Sequence, residues 1–303
     1  MTTQANNDTR NGVINAISAY FLWGLAPIYF KLIKEVSPDE IMVHRIVWSC
    51  LLLFIIIVLS KKLPALISII QQPKILLKLA ITATFLGVNW FMFIWAVNND
   101  HLLDASLGYF INPLFSVALA VIFLGERLRK WQIFAVVLAI IGVLIQLVYI
   151  GSLPVISLAL AGTFGIYGLL RKKLSVDSFI GLLVESALML PFALIYWLFF
   201  VSSDTGNMFS NSLSLNALLI FAGVVTTAPL LCFTAAAKRL TLSTVGFFQY
   251  IGPSMMFILA IIYYHEVLVV EKLITFVFIW AALLIYSIDS LNAHKQKKKL
   301  AIT

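Results

Sequence analysis

Residues 108–126 read GYFINPLFSVALAVIFLGE, and residues 248–266 read FQYIGPSMMFILAIIYYHE. Both stretches are apolar, and each approaches the roughly 20 residues that a helix needs to cross the hydrocarbon core of a bilayer. When Pro113 is aligned with Pro253, an offset of 140 residues, the terminal glutamates of the two stretches also coincide. This shared spacing over a full helix indicates an internal repeat.

A second pair of segments supports the same repeat. Residues 21–31 read FLWGLAPIYFK and residues 162–172 read GTFGIYGLLRK, so Lys31 falls on Lys172 at an offset of 141 residues. One match between apolar helices can arise by chance, because short motifs are weak evidence. Two pairs at neighbouring offsets favour a true duplication.

The composition assigns most of the chain to lipid. Of its 303 residues, 62% are hydrophobic and 11% are charged, whereas soluble proteins carry about 25% charged residues. Turn residues and charges divide the chain into ten predicted spans, at residues 12–33, 38–60, 74–97, 103–124, 130–149, 153–171, 178–201, 214–237, 244–265 and 271–291.

The spans fall into two halves. Spans one to five form a first repeat at residues 12–149, and spans six to ten form a second at residues 153–291, between a tail at 1–11 and a basic tail at 292–303. Because each half holds an odd number of spans, the second half enters the membrane with the opposite orientation. We therefore expect an all-α polytopic membrane protein with ten helices in a 5+5 inverted repeat, a plan typical of secondary transporters.

The basic residues predict the orientation. Of the 21 Lys and Arg residues, only Lys31, Lys34 and Lys272 lie in the loops opposite the termini, and Arg45 falls within a span. Since cytoplasmic loops carry the excess of positive charge, both termini are expected in the cytoplasm, with the protein in the inner membrane. The net charge of +8 is spread over short loops, so we expect the lipid bilayer and no nucleic acid as partner. The first apolar run lacks a small-residue cleavage site, which predicts a helix rather than a signal peptide.

Motifs of other function classes are missing from the sequence. Cys50 and Cys232 both fall in apolar runs, so we expect no disulfide framework and no metal site. His265 and Glu266 are not followed by the second histidine of a zinc-protease motif, and neither a nucleophile turn nor a phosphate-binding loop is present. We expect no enzyme and no cofactor.

Proline within a span removes a backbone donor, which only neighbouring helices or a cavity can compensate. Pro113 in span four and Pro253 in span nine occupy corresponding places. Their symmetry favours a role in gating, although simple packing kinks would also explain them.

Polar side chains accompany both prolines. Tyr109 and Asn112 share one face of span four, and Gln249 lies at the matching place in span nine. Such groups either hydrogen-bond between helices or line a wet cavity.

Among the titratable residues of the predicted spans, His44, Arg45 and Glu185 are the candidates for a functional role. Arg45 falls about 10 Å into the bilayer and Glu185 roughly 12 Å from the other face, at 1.5 Å per helical residue. His44 precedes Arg45. A charge at the centre of a span costs roughly 2.5 to 3.5 kcal/mol on insertion scales, so each is a candidate functional residue, with a structural ion pair or a lipid anchor as the alternative.

A series of segments resembles the drug/metabolite transporter superfamily, EamA type, and within it the RarD group. The segments are WGLAPIYFK (23–31), SPDEIMVHRIVWS (37–49), NWFMFIWAVNN (89–99), SLGYFINPLFS (106–116), FLGERLRKWQ (123–132), YGLLRKK (167–173) and GFFQYIGP (246–253). The resemblance covers almost the whole chain. It implies a ten-helix exporter in which spans 1, 3, 4, 6, 8 and 9 surround a cavity and spans 5 and 10 are peripheral.

The resemblance adds aromatic and amide candidates on those spans: Trp23, Asn89, Trp90, Tyr167 and Tyr250. The preference of Trp and Tyr for membrane interfaces would explain several of them equally well. The expected function is alternating-access transport of small metabolites or amphipathic drugs; a sensor or scaffold that keeps the fold without net transport stays open. No feature of the sequence indicates the oligomeric state.

Overall fold

The computed structural model describes residues 2–99, 101–151, 155–201, 203–263, 265 and 270–300, and these residues form helices and short connections. The helices are α1 (Thr2–Leu32), α2 (Pro38–Leu59), α3 (Leu63–Ile70), α4 (Pro73–Asn98), α5 (Leu102–Leu124), α6 (Lys130–Ile150), α7 (Val155–Lys173), α8 (Ser178–Phe199), α9 (Leu213–Arg239), α10 (Leu242–Phe248), α11 (Ile251–Ile262) and α12 (Val270–Leu300). A single 3₁₀ turn, Asp204–Gly206, lies between α8 and α9.

Ten segments of the described chain are long and apolar enough to cross a membrane. They agree with the ten predicted spans, and the prediction of an all-α polytopic membrane protein is confirmed. Two details differ from the expectation. The short helix α3 lies in the connection between the second and third spans, and the ninth span consists of two helices, α10 and α11.

Local sequence explains where many helices begin and end. The side chains of Asp177, Ser212 and Thr241 accept backbone N–H bonds at the first turns of α8, α9 and α10. Such side chains replace the partners that the first N–H groups of a helix lack. After α5 and α6 the chain turns at Gly125 and Gly151, whose φ angles of 64° and 70° suit glycine best.

The spans pack in a defined set of pairs. α1 packs on α9 and on α11, α2 packs on α8 and α9, α4 packs on α7 and α8, and α5 packs on α7 and α10. α6 and α12 pack mainly on each other. The fifth and tenth spans therefore stand at one edge of the bundle.

The backbones of α2 and α9 approach each other closely at Gly223. A Cβ placed on Gly223 would lie 2.6 Å from the backbone carbonyl carbon of Trp48. The backbones can approach this closely only because Gly223 has no side chain, and the Ser49 hydroxyl then donates to the Gly223 carbonyl at 3.2 Å. Small residues commonly permit such contacts between helices in lipid.

The two aligned prolines have different backbone environments. Pro113 lies inside the continuous helix α5, whereas Pro253 follows the interruption between α10 and α11. Proline lacks an N–H group, and its ring crowds the carbonyl four residues earlier, here that of Gln249. The Gly252 N–H instead bonds the Gln249 carbonyl at 3.1 Å, in a tighter 3₁₀ pattern.

Candidate functional site

The bundle has two ends, which hold different residues. The inner end holds Lys62, Asp177 and Arg239, and the outer end holds Pro38 and Leu213. Polar side chains concentrate in two layers within the spans, one in each half of the bundle.

The outer layer is centred on Arg45, and we call its members the Arg45 cluster: Arg45, Trp90, Thr226, Tyr29 and Tyr109. Arg45 donates from Nε to the Thr226 hydroxyl at 2.9 Å. Its guanidinium carbon lies 4.5 Å from the centroid of the Trp90 ring, a cation–π contact. The phenols of Tyr29 and Tyr109 lie close enough to interact with the guanidinium electrostatically.

Members of this cluster come from α1, α2, α4, α5 and α9, so the guanidinium points into the bundle. Arg45 is nevertheless half-buried, and Tyr109 keeps 40% of its surface accessible. Both residues therefore keep accessible surface although their neighbours come from five helices. Among the described residues no carboxylate pairs with Arg45.

Amides connect the helices below this cluster. Asn89 of α4 donates to the Leu160 carbonyl and to the Thr163 hydroxyl of α7, both at 2.9 Å. Gln249 donates to the Ser116 hydroxyl of α5 at 3.1 Å. These are hydrogen bonds between helices, one of the two alternatives that the sequence left open for polar groups within the spans.

Three buried oxygens near these amides have no hydrogen-bond partner: the side-chain oxygens of Asn112 and Gln249 and the Tyr20 hydroxyl. Tyr20 and Gln249 interact across α1 and the α10–α11 break without meeting hydrogen-bond geometry. A small rotation of either side chain would pair them. Trp23 lies beside this group, in ring contact with Phe164 and Phe233.

The inner layer is a closed ionic network. Glu185 of α8 accepts from the Thr82 hydroxyl at 2.5 Å and from the Tyr167 hydroxyl at 3.3 Å. Its carboxylate lies 3.4 Å from Nη1 of Arg171, and both side chains are 1% exposed. A Cβ at Gly181 would overlap this guanidinium, so the glycine makes room for it.

Lysines cap helices around this network at the inner end. Lys172 of α7 donates to the carbonyls of Ala237 and Leu240, at the end of α9. Lys238 donates to the carbonyl of Val176, which precedes α8. Lys172 and Lys238 lie in the last turns of α7 and α9, where a positive group complements the negative end of the helix dipole.

Glu126 closes the inner end from the other side. Its carboxylate accepts from the backbone N–H groups of Leu242 and Ser243, at 2.6 and 3.0 Å, and from the Ser243 hydroxyl at 2.6 Å. Glu126 therefore caps the first turn of α10. Glu266 lies outside the described residues.

At the outer end His44 belongs to a separate group. It accepts from the Trp48 indole at 3.0 Å and packs against the Trp197 ring, with 4.8 Å between centroids. Its other nitrogen lies 3.7 Å from Glu40, which is fully buried. Ser203 and Thr205 also donate to Glu40, so this group fastens the α8–α9 connection to α2.

The structure does not bring all predicted cavity residues together. Trp90 and Tyr109 join the Arg45 cluster, and Asn112, Asn89 and Trp23 lie on neighbouring helices. Tyr167 and Tyr250 are fully buried, and their hydroxyls bond Glu185 and the Phe110 carbonyl. The cavity roles of these two residues stay predictions.

Sequence reasoning missed Arg171 and Glu40 as buried charged residues. Arg171 precedes Lys172 and Lys173, so it was assigned to a basic loop, but α7 continues through it and buries it. Glu40 stands four residues before His44, on the same helix face, a spacing that would have paired them.

Comparison with known proteins gives consistent matches. The EamA-like transporter family matches residues 10–148. An uncharacterized transporter of Vibrio cholerae is 54% identical over 96% of both chains, and the protein RarD of Escherichia coli K12 is 52% identical over 96% of this chain and 98% of its own. The chloramphenicol-sensitive protein RarD of Pseudomonas aeruginosa is 29% identical over 96% of this chain and 98% of its own.

One crystal structure superposes on the chain with a TM-score of 0.73. It covers 91% of this chain and 97% of the other, at 17% sequence identity. At this identity the likeness establishes a shared fold and nothing about the solute.

Proposed function

Since the chain belongs to the EamA-like transporter family and, within it, to the RarD group, we propose that it moves small metabolites or amphipathic drugs across the inner membrane by alternating access. It is a membrane transporter of the drug/metabolite type, not an enzyme. The observation that supports alternating access best is the contrast between the accessible Arg45 cluster in the outer half and the bonded inner end.

The helix packing supports an inverted repeat of residues 12–149 and 153–291. If α1, α2, α4, α5 and α6 correspond to α7, α8, α9, α10–α11 and α12, the packing pairs map onto one another. The pair α1–α9 corresponds to α7–α4, the pair α5–α7 to α11–α1, and the pair α2–α9 to α8–α4. Two halves related in this way can exchange conformations, which reverses the accessible side.

The inner end carries the contacts of a closed gate. Lys62 pairs with Asp177 at 3.1 Å, and Glu126 holds the start of α10. α10 packs on α5, whereas α11 packs on α1 and leaves the outer half of α5 less enclosed. The break before Pro253 lets the two parts of the ninth span take different neighbours, which supports its gating role; Pro113 is the proposed counterpart.

The charge distribution supports an inner end that faces the cytoplasm, together with both termini. Lysine and arginine residues concentrate there, and this bias sets the orientation of most polytopic proteins. The solute then enters or leaves the Arg45 cluster from the periplasmic side in this conformation.

Glu185 is the proposed site of proton coupling. It is fully buried and lies in the inner half of the bundle, whereas Arg45 lies in the outer half. Its carboxylate accepts hydrogen bonds from α4 and α7. A Glu185→Gln variant with the same pH dependence of transport as the wild type would exclude this role.

Transport is tested with purified protein in sealed liposomes loaded with a mixed metabolite extract. Mass spectrometry follows what leaves, with and without an imposed pH gradient. We expect selective loss of a few compounds, and little loss with a Tyr109→Ala/Asn112→Ala variant of verified fold. Release identical to empty liposomes would contradict transport and favour a sensor that keeps the fold.

A further inference from the structure

Arg45 is an intramembrane cation without the usual compensation. A charged side chain within a span is costly, and proteins commonly offset the cost with a carboxylate. Within the spans, Arg171 has Glu185 at 3.4 Å, and even Arg129, which is exposed at the inner end before α6, has Asp289. Arg45 has, among the described residues, only neutral neighbours.

The contacts of Arg45 leave its two terminal Nη groups available to a ligand. Nε bonds Thr226, and one face of the guanidinium stacks on Trp90. The described hydrogen bonds of Arg45 end at Nε, and neither Nη group is among the fully buried polar atoms without a partner, so both keep donors for a ligand. A guanidinium presents these donors as a planar fork, which fits the paired oxygens of a carboxylate or phosphate.

Neighbouring groups fit an anionic solute that also carries an aromatic or apolar part. Tyr109 is accessible and near the guanidinium, so its hydroxyl can donate to the same oxyanion. The Tyr29 hydroxyl is already used, because it donates to the Leu218 carbonyl at 3.0 Å. The Tyr109 ring also contacts Phe93, with 6.3 Å between centroids, which gives an apolar wall.

We propose that Arg45 is the anion subsite of the transport cavity and that it binds the carboxylate or phosphate of a solute with an aromatic or apolar flank. The inference rests on the proposed transport function and specifies its substrate class. Helices α1, α4, α5 and α9 surround the guanidinium, which favours a solute over a lipid headgroup as the source of the oxyanion.

Binding is measured by the change in unfolding temperature of the detergent-purified protein. The probes are N-acetylphenylalanine, its neutral amide, and phenyl phosphate. We expect saturable stabilisation by the two anions and, at equal concentration, little by the amide. Equal stabilisation by acid and amide, or no saturable response to either anion, would overturn the proposal.

Three variants locate the effect. Arg45→Gln should weaken anion binding at least about tenfold, since a charge-assisted hydrogen bond is lost. Arg45→Lys keeps the charge without the fork and should bind with intermediate affinity, which covers the case in which Arg45→Gln fails to fold. Arg129→Gln removes a distant cation as the matched control. Two results together would overturn the role of Arg45. The Arg45→Lys protein would have to bind anions as tightly as the wild type, and the Arg45→Gln protein would have to do the same or fail to fold.

Nanodiscs of phosphatidylcholine, with or without phosphatidylglycerol, distinguish a lipid headgroup from a solute as the source of the oxyanion. A solute subsite responds to N-acetylphenylalanine in both lipids. Stabilisation by phosphatidylglycerol that requires Arg45, without a response to the soluble anions, would overturn the proposal. In the liposome experiment, export restricted to neutral or cationic compounds would refute the anion subsite while transport itself stands.

Discussion

Two arginines within the spans are stabilised in opposite ways. Arg171 is sealed among Glu185, Tyr167 and Thr82, whereas Arg45 rests on Trp90 and a single hydroxyl. The Arg171 guanidinium is closed to solvent, whereas Arg45 keeps accessible surface. Burial and pairing therefore distinguish two residues that look alike in the sequence.

The first prediction concerns the inner ion pair. Glu185→Ala leaves the Arg171 guanidinium buried without a counter-charge, which costs about 3–5 kcal/mol in comparable pairs. Glu185→Gln should cost less, because the amide can keep the bonds to Thr82 and Tyr167. Unfolding temperatures in detergent measure the effect.

A double variant is the control for that prediction. Arg171→Met combined with Glu185→Leu removes both charges and should recover most of the stability lost in Glu185→Ala. A double variant less stable than Glu185→Ala would show that the loss in Glu185→Ala does not come from the unpaired charge of Arg171.

The second prediction concerns Asp177, which lies outside the spans. Burial raises the pKa of this carboxyl, but hydrogen bonds from Lys62 and from the backbone of Ile180 and Phe179 outweigh it, so the pKa lies below 3.8. A depressed folded-state pKa adds stability above the unfolded value, and this stability is lost as pH falls through the folded value. Asp177→Asn should therefore unfold at a lower temperature than the wild type at neutral pH.

The pH profile identifies the cause. The difference between the two proteins should shrink as the pH falls below about 4, where the wild-type carboxyl also becomes neutral. A difference that stays constant down to the lowest accessible pH would instead indicate lost packing at the start of α8.

The sequence located some of the charged residues within the spans, while the functional roles of these residues stay predictions. Arg45 and Glu185 were recognisable because each lies far from the ends of its span. Arg171 was not, since a run of basic residues at a span end is ordinarily solvated, and only the packing of Gly181 against the guanidinium reveals its burial.

At the scale of helices, the contact of α2 with α9 joins the two halves. The third prediction is that Gly223→Ala separates these helices, because the new methyl group meets the Trp48 backbone at 2.6 Å and the backbone cannot move aside alone. We expect a loss of about 2–4 kcal/mol, in the range of overpacked and strained cores. Thermal unfolding and expression level are the measurements.

Gly87→Ala is the matched control in another span. The methyl group there would contact only the Met189 sulfur, at 3.4 Å, and a methionine side chain can adjust. We expect a change within about 0.5 kcal/mol. Equal damage in both variants would show that the α2–α9 contact has no special importance.

Ten helices were predictable because each has a long apolar run between turn signals. Helix α3 was not, since its eight residues are too few to span and lie between two basic segments. The break in the ninth span was also missed. Pro113 and Pro253 align in sequence, but only the second follows an interruption, because α10 and α11 pack on different helices.

At the scale of the whole molecule, alternating access requires one cavity that reaches one side of the membrane at a time. In this conformation Tyr109 is accessible in the outer half, whereas Gln249 is buried where α10 meets α5. When the two halves exchange conformations, Tyr109 should become buried and Gln249 should become accessible. Cys50 and Cys232 are the free cysteines and must first be replaced by alanine.

The most direct test uses single cysteines and a membrane-impermeant thiol reagent on right-side-out and inside-out vesicles. Phe209→Cys, in the fully exposed α8–α9 connection, is the outer reference. We expect Tyr109→Cys to react from the periplasmic side. During turnover with metabolite extract, Gln249→Cys should become reactive from the cytoplasmic side, while Tyr109→Cys is protected. Tyr109→Cys that reacts equally from both sides, or a pattern unchanged by turnover, would contradict alternating access.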